Sequence, residues 1–375
     1  MKNFYFLLHL NLQFSAIPYS KFKKVIRNVY DPILDLISEN DLHLSLEISG
    51  YTIEKINEID NQWTNKLRKL LLKKKCTLIG SGYSQIIGPL NSYSVNDLNQ
   101  KIGIDIYKKY LNCVPKISLI NEMAFSNGLL EIYKKYYKAV IIDIKNTELS
   151  LNLSFKNKKF PNRIKSYNNI EMPVLWADSL LMQKFQQYIH GNVSKYEYLQ
   201  NFKKNENFNK FSNSIYCGDA EIFNFRPKRY DTEEKINTNE WKKILDILTD
   251  LSQKFSIDLI SPESIIKKYK TKISKNIISI SHPSLVKKQE KYNISRWAIT
   301  GRNDQWLNTI SAKINNNFFN KKRSKYDSKL FLEILGSDLR THINIQKWNY
   351  YKKQISYLCN KLKVSYKIEK SKDKK

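Results

Sequence analysis

Two stretches of the chain pair a strand-forming run with a carboxylate. Ile117-Ser-Leu-Ile120 runs into Asn121-Glu122-Met-Ala-Phe125, and Ser214-Ile-Tyr-Cys-Gly218 runs into Asp219-Ala-Glu221-Ile-Phe223. An acid at the carboxyl end of a buried strand is a candidate nucleophile or general acid/base, because loops from several strands of a parallel barrel converge there. Glu122 has a second role open to it. Near the start of the helical run Leu129 to Tyr137, a negative charge favours the positive end of the helix. Taken alone, the stretch favours that cap; the rest of the chain reverses the order. Glu47 and Asp143 also end apolar runs, and both are expected to be structural. Glu221 is expected to orient Asp219 or a loop. His9 is read evenly as a hydrogen-bonding group of the site and as a satisfied buried histidine.

These acids need a frame, and the chain supplies alternating strands and helices. Phe4 to Leu10 is continuously apolar, as in a strand buried on both faces of a parallel sheet. Leu42–Ile48, Cys76–Ile79, Ile117–Ile120, Ala139–Ile144, Pro173–Trp176, Ser214–Gly218 and Ile257–Ile260 follow. Helical periodicity separates them, over Tyr19–Ser38, Ile53–Lys75, Val95–Leu111 and Trp241–Phe255. The glycine-rich segment Gly80-Ser-Gly-Tyr83-Ser-Gln85 lacks the Lys-Ser/Thr of a phosphate loop. This alternation predicts an α/β fold with a parallel sheet. From about Lys275 the periodicity turns helical, which predicts two domains, 1–272 and 273–375.

Composition limits the function classes. Hydrophobic residues make up 41% and aromatic residues 13% of 375 residues, enough for a substantial core. No run reaches the length of about 20 apolar residues that a membrane span needs. The N-terminal apolar run is interrupted by His9, Asn11 and Gln13, and is read as the first strand, not as a leader. Lys and Arg exceed Asp and Glu by 64 − 35 = 29 charges. Lys is spread through loops and helices alike, and its densest clusters lie far apart, so no nucleic-acid partner is expected. Four cysteines without CxxC spacing suit reduced thiols and a cytoplasmic location. His9, His43, His190, His282 and His342 show no paired spacing, so neither a metal nor another cofactor is expected.

In this order, the pieces resemble glycoside hydrolase family 57, over roughly Phe4 to Trp348. The family's Asn-Glu-Met-Ala-Phe-like context is matched by Asn121 to Phe125, and its Asp-x-Glu-x-Phe by Asp219 to Phe223. Its first motif, His-x-His-Gln-Pro, reads His9-Leu-Asn11-Leu-Gln13 here. The Gly-rich motif is matched loosely by Gly80 to Pro89, and the fifth motif by Asn303-Asp304-Gln-Trp306. The resemblance implies a distorted (β/α)7 barrel with a C-terminal helical domain closing one side of the cleft. Asn11 stands where the family has its second His, and the Pro is missing. The substrate end of strand one is therefore altered, and a substrate other than starch is expected.

What the resemblance implies for chemistry is retaining cleavage or transfer of an α-linked oligo- or polysaccharide. Glu122 would be the nucleophile that forms a covalent glycosyl-enzyme, and Asp219 the acid/base. Substrate contacts are expected from His9, Asn11, Tyr83, Gln85, Glu221, Trp176, Arg302, Asn303, Asp304 and Trp306. Among the tryptophans, Trp306 is the expected stacking face, while Trp297 is read as core. Arg302 is expected to pair with Asp304. The polar cluster Ser337-Asp338-Leu-Arg340-Thr-His342 is expected to be an interdomain hydrogen-bond network outside the chemistry. Two rival readings stand beside the enzyme: a carbohydrate-binding protein on a decayed barrel, and, from the charge, a nucleic-acid-binding protein.

Overall fold

β1 (Lys2–Leu10) carries the alternation that organises the molecule. Phe4, Phe6, Leu8 and Leu10 pack outward into the main core beneath the helices. Tyr5 and Leu7 point the other way, into a smaller core with Ile79, Leu119, Ile141, Leu175 and Cys217. That second core is the inside of a barrel, and His9 continues the inward row to its rim. The computed structural model describes residues 2–144, 161–166, 168–204, 214–227, 236, 239–269, 277–278, 294–301, 303–341 and 343–366.

β1 pairs in parallel with β2 (Leu44–Ile48) on one side and β8 (Ser214–Asp219) on the other. β3 (Cys76–Ile79) extends the sheet beyond β2, and β9 (Ile257–Leu259) pairs with the start of β1. A second sheet holds β4 (Ile117–Leu119), β5 (Ala139–Asp143) and β7 (Glu171–Ala177), again in parallel. A parallel bridge between Gly80 and Ser118 joins the two sheets, with the Gly80 N–H donating to the Ile117 carbonyl at 2.9 Å. At the other seam β7 lies beside β8, and the Tyr5 hydroxyl donates to the Trp176 carbonyl at 2.8 Å. Among the described residues, β1, β2, β3, β4, β5, β7 and β8 thus follow one another in a distorted (β/α)7 ring, irregular at both seams.

β6 (Asn162–Lys165) runs antiparallel on the outer edge of β7, and β10 (Ile277–Ile278) pairs with β6. The short strand at Ile277–Ile278 departs from the helical periodicity expected from about Lys275. The sheet reaches past that point because β6 offers an open edge to pair with.

The helices largely follow the expected periodicity. α1 (Asp31–Glu39) ends a longer helical run that includes a π-helical turn at Ile26–Tyr30. The single helix expected over Ile53–Lys75 is two, α2 (Gly50–Ile59) and α3 (Asn61–Leu72). Asp60 breaks it by turning to extended backbone and accepting from the N–H groups of Gln62 and Trp63, as an N-cap does. α4 (Tyr93–Leu111), α5 (Leu130–Tyr136), α6 (Ser179–His190), α7 (Lys195–Lys204), α8 (Glu240–Phe255) and α9 (Pro262–Lys268) follow.

The last long helices, α10 (Asp304–Phe318), α11 (Lys325–Ile334) and α12 (Ile345–Leu362), pack on one another. They meet the barrel through partly buried polar groups: Lys329 pairs with Glu54, and the Tyr83 hydroxyl donates to Glu333 at 3.3 Å. From α12 the Lys347 ammonium donates to the carbonyls of Leu12, Gln13 and Phe14 at 3.3, 3.2 and 2.8 Å. All three of its protons are therefore spent on the segment that follows β1. Cys76, Cys113, Cys217 and Cys359 are all free thiols. No helix among the described residues is long and apolar enough to cross a membrane.

Candidate functional site

Parallel register puts three ionisable groups on one rung. His9 on β1 lies opposite Glu47 on β2 and opposite Asp219 on β8. All three are at the carboxyl ends of their strands, where the ring opens into a cavity of about 470 Å³. Glu47 is fully buried and accepts from Nδ1 of His9. Burial lowers the His9 pKa, while the charges of Asp219 and Asp338 act in the opposite direction. Gln85 Nε2 reaches the other Glu47 oxygen at 3.3 Å. His9, Gln85 and Asp219 line the cavity.

Glu122 enters the same cavity from the turn after β4. Its backbone is left-handed, with φ 52° and ψ 17°, and Met123 follows at φ 56°. Two such residues in succession cost on the order of 1–2 kcal/mol each, so neighbouring structure must hold them. Asn121 does this: its Nδ2 lies 3.2, 3.4 and 3.2 Å from the carbonyls of Ser81, Ser84 and Ile86. The Met123 N–H donates to Ile120 and the Ala124 N–H to Asn121, closing the turn. The result lifts the carboxylate off the strand end and presents it to the cavity. Ser337 Oγ donates to Glu122 Oε1 at 2.9 Å.

Asn11 does structural work on the cavity wall. Its N–H donates to Glu221 at 2.7 Å, its Oδ1 accepts from Gln13 at 3.0 Å, and its Nδ2 donates to Asp338 at 2.9 Å. Asp338 also accepts from the Ser15 N–H at 3.1 Å and lines the cavity. Burial raises its pKa, with the Asn11 amide and the Lys347 charge opposing.

Several expected contacts lie elsewhere. Glu221 is buried behind the wall, where it accepts from Asn11 and from the Tyr30 hydroxyl at 2.5 Å. Burial, and then the charge of Asp219, pushes its carboxyl up to about 7. Tyr83 is buried against Glu333, and Trp176 is buried with its Nε1 donating to Asn162 at 2.7 Å. Neither reaches the cavity, because both side chains lie on the outward side of their segments. Asn303, Asp304 and Trp306 line a separate open depression with Ile299 and Thr309. Trp306 packs edge-on against the buried Trp348 of α12. Asp304 accepts from the Gly301 N–H, and burial pushes it up to about 7 against the pull of Arg340. Arg302 and His342 lie outside the described residues.

Other residues take the vacated places. Trp297 is in the core as expected, 1% exposed in a small cluster with Ile87 and Ala124, and it also borders the cavity beside Arg296, whose guanidinium stands 5.6 Å from its ring centre. The Ser337–Asp338 turn, expected outside the chemistry, supplies one hydrogen bond to Glu122 and one wall carboxylate. A Gly followed by two small polar residues between helices was its only sequence signal. Asp143, Met182, Gln183 and Gln186 complete the far wall. Their signal was position, since β5 and the helix after β7 share the rim of the other acids. Among the described residues no cluster of His, Cys, Asp and Glu is arranged to hold a metal ion.

The arrangement offers two separate carboxylates, Glu122 and Asp219, in one concave site. The model of glycosyl hydrolase family 57 matches residues 1–273. The 4-alpha-glucanotransferase from Thermococcus litoralis superposes with a TM-score of 0.71 at 13% identity, over 98% of this chain and 60% of that one. The GH57-type branching enzyme from Pyrococcus horikoshii gives 0.66 at 11%, over 96% and 88%. The alpha-amylase AmyC from Thermotoga maritima gives 0.64 at 11%, over 96% and 93%. At these identities the likeness is one of fold. The chain spans about 60% of the length of the T. litoralis enzyme. No curated protein matches the sequence.

Proposed function

The chain belongs to glycosyl hydrolase family 57, and on that premise we propose that it cleaves or transfers α-linked sugar units of an oligo- or polysaccharide through a covalent glycosyl-enzyme. The observation that carries this reading is that Glu122 and Asp219, 219 − 122 = 97 positions apart, line one cavity at the barrel rim. The printed names of the fold neighbours, a glucanotransferase and an amylase, make α-glucans the substrate class to try first.

Glu122 attacks the anomeric carbon as the glycosidic bond breaks, and Asp219 gives a proton to the leaving oxygen. Asp219 then takes a proton from water or an acceptor hydroxyl, which attacks the same carbon and frees Glu122. Ser337 orients the nucleophile through its hydrogen bond. His9, held by Glu47, and Asp338, held by Asn11, are placed to hydrogen-bond the hydroxyls of the sugar undergoing attack. The helices beyond residue 273 act as a second domain that closes this side of the cavity, and four free thiols suit a cytoplasmic setting.

Two variants test the roles separately. On an α-glucosyl fluoride, whose leaving group needs no proton, Asp219→Asn should retain glycosyl-enzyme formation while losing activity on maltooligosaccharides by about 100-fold or more. Glu122→Gln should lose both. Retained turnover of maltooligosaccharides in Glu122→Gln would sink the assignment.

A further inference from the structure

Glu122, after β4, and Asp219, at the end of β8, divide the cavity wall into two unlike arcs. The arc over β1, β2 and β3 carries His9, Asn11 and Gln85, with Glu47 behind them. Asn11 and Gln85 are 4% exposed, Glu47 is fully buried, and hydrogen bonds link His9 and Gln85 to Glu47. Such a rigid wall is suited to one sugar ring in one orientation.

The arc over β5 and β7 is built differently. Asp143 at the end of β5 accepts from the Ser179 N–H at 2.8 Å and so fixes where α6 begins. From that start α6 leans on β8, and Gly218 makes room for it: a Cβ there would stand 2.7 Å from Met182 Sδ. One turn on, Gln186 Nε2 donates to the Tyr216 hydroxyl at 3.3 Å, and that hydroxyl donates to the Asp219 carbonyl at 2.8 Å. Met182, Gln183 and Gln186 thus stand on one face of α6, tied to the strand that carries Asp219, and all three line the cavity. Gln183 is exposed and Gln186 half-buried.

We infer that this face of α6 is the subsite for the leaving and accepting sugar, with Gln183 and Gln186 as its specificity-determining hydrogen-bonding residues. The inference rests on the reading of Asp219 as acid/base, because the leaving oxygen and the accepting hydroxyl must both come within reach of that carboxyl. Primary amides donate and accept at once, which suits neutral hydroxyls better than anionic groups. Gln183, exposed beside the fixed opposite arc, suits a subsite that accepts sugars of differing length or linkage.

The test compares two substrates of the full chain. Maltotriose fills this subsite with a departing sugar, while α-glucosyl fluoride leaves it empty. With the fluoride, a bond forms from a Glu122 oxygen to the anomeric carbon, the carbon–fluorine bond breaks, and fluoride departs without a proton. The ratio of kcat/KM on maltotriose to kcat/KM on the fluoride is expected to fall about fivefold to tenfold in Gln183→Ala, the size of one neutral hydrogen bond. Gln186→Leu should lower it by a similar factor. An unchanged ratio in both variants, with the wild type active on both substrates, would overturn the subsite alone. A wild type that turns over neither substrate would overturn the α-glucan reading of the site, and the subsite would fall with it.

Discussion

Asn121→Ala tests whether the left-handed turn is what makes Glu122 usable. The Asn121 amide has two protons for three carbonyls, so at most two full hydrogen bonds are lost at once. At about 1 kcal/mol each, plus the cost of burying unpaired carbonyls, the loss of stability should be about 2–3 kcal/mol. The turn stores a further ~2–4 kcal/mol in the positive φ of Glu122 and Met123, and without its anchor it relaxes toward ordinary backbone. A carboxylate displaced by about 1 Å loses roughly 100-fold in rate. Fluoride release from an α-glucosyl fluoride should therefore fall by about that factor, with a net loss of stability smaller than about 2–3 kcal/mol because the relaxing turn returns part of its strain. A kcat within threefold of wild type in Asn121→Ala would refute the reasoning.

Gly103→Ala should be among the most damaging single methyl additions. Its Cβ would stand 2.5 Å from the Gly82 carbonyl carbon, and neither backbone can move aside cheaply, so a loss of about 3 kcal/mol is expected in chemical denaturation. Glu333 carries a pH signature. Burial pushes its carboxyl from 4.5 up to about 7, with Lys55 and the hydroxyls of Tyr351 and Tyr83 opposing. A raised carboxyl pKa contributes stability that is whole below about 4.5 and is lost as pH rises through about 7. Glu333→Gln lacks that loss, so its stability relative to wild type should climb by on the order of 3 kcal/mol between pH 4.5 and 8. A pH-independent difference would show that Glu333 is ionised in the fold.

The sequence carried most of the strands and the position of the two acids at strand ends, because local pattern governs both. A continuous apolar run and a following carboxylate mark the end of a buried strand without reference to anything distant. The rung joining Glu47, His9 and Asp219 was hidden, since register between strands that are 34 or more residues apart depends on pairing that no local pattern records. The same reason misplaced Trp306: expected in the cleft, it packs edge-on against Trp348, and no local pattern records which helix it meets. Asp60 was legible in principle, as an Asp that could cap a second helix, but the apolar periodicity on both sides masked the break. Asp338 was legible as polar and ill-placed for a helix; its meeting with Asn11 joins parts of the chain 327 residues apart.

The central claim is that Glu122 forms the covalent intermediate. A 5-fluoroglycosyl fluoride slows breakdown of such an intermediate, so the intact mass of the treated chain should rise by one fluoroglycosyl unit. Proteolysis should then map that unit to Glu122. A label found on Asp143 or Asp338, or no label from a chain that consumes α-glucosyl fluoride, would contradict the account.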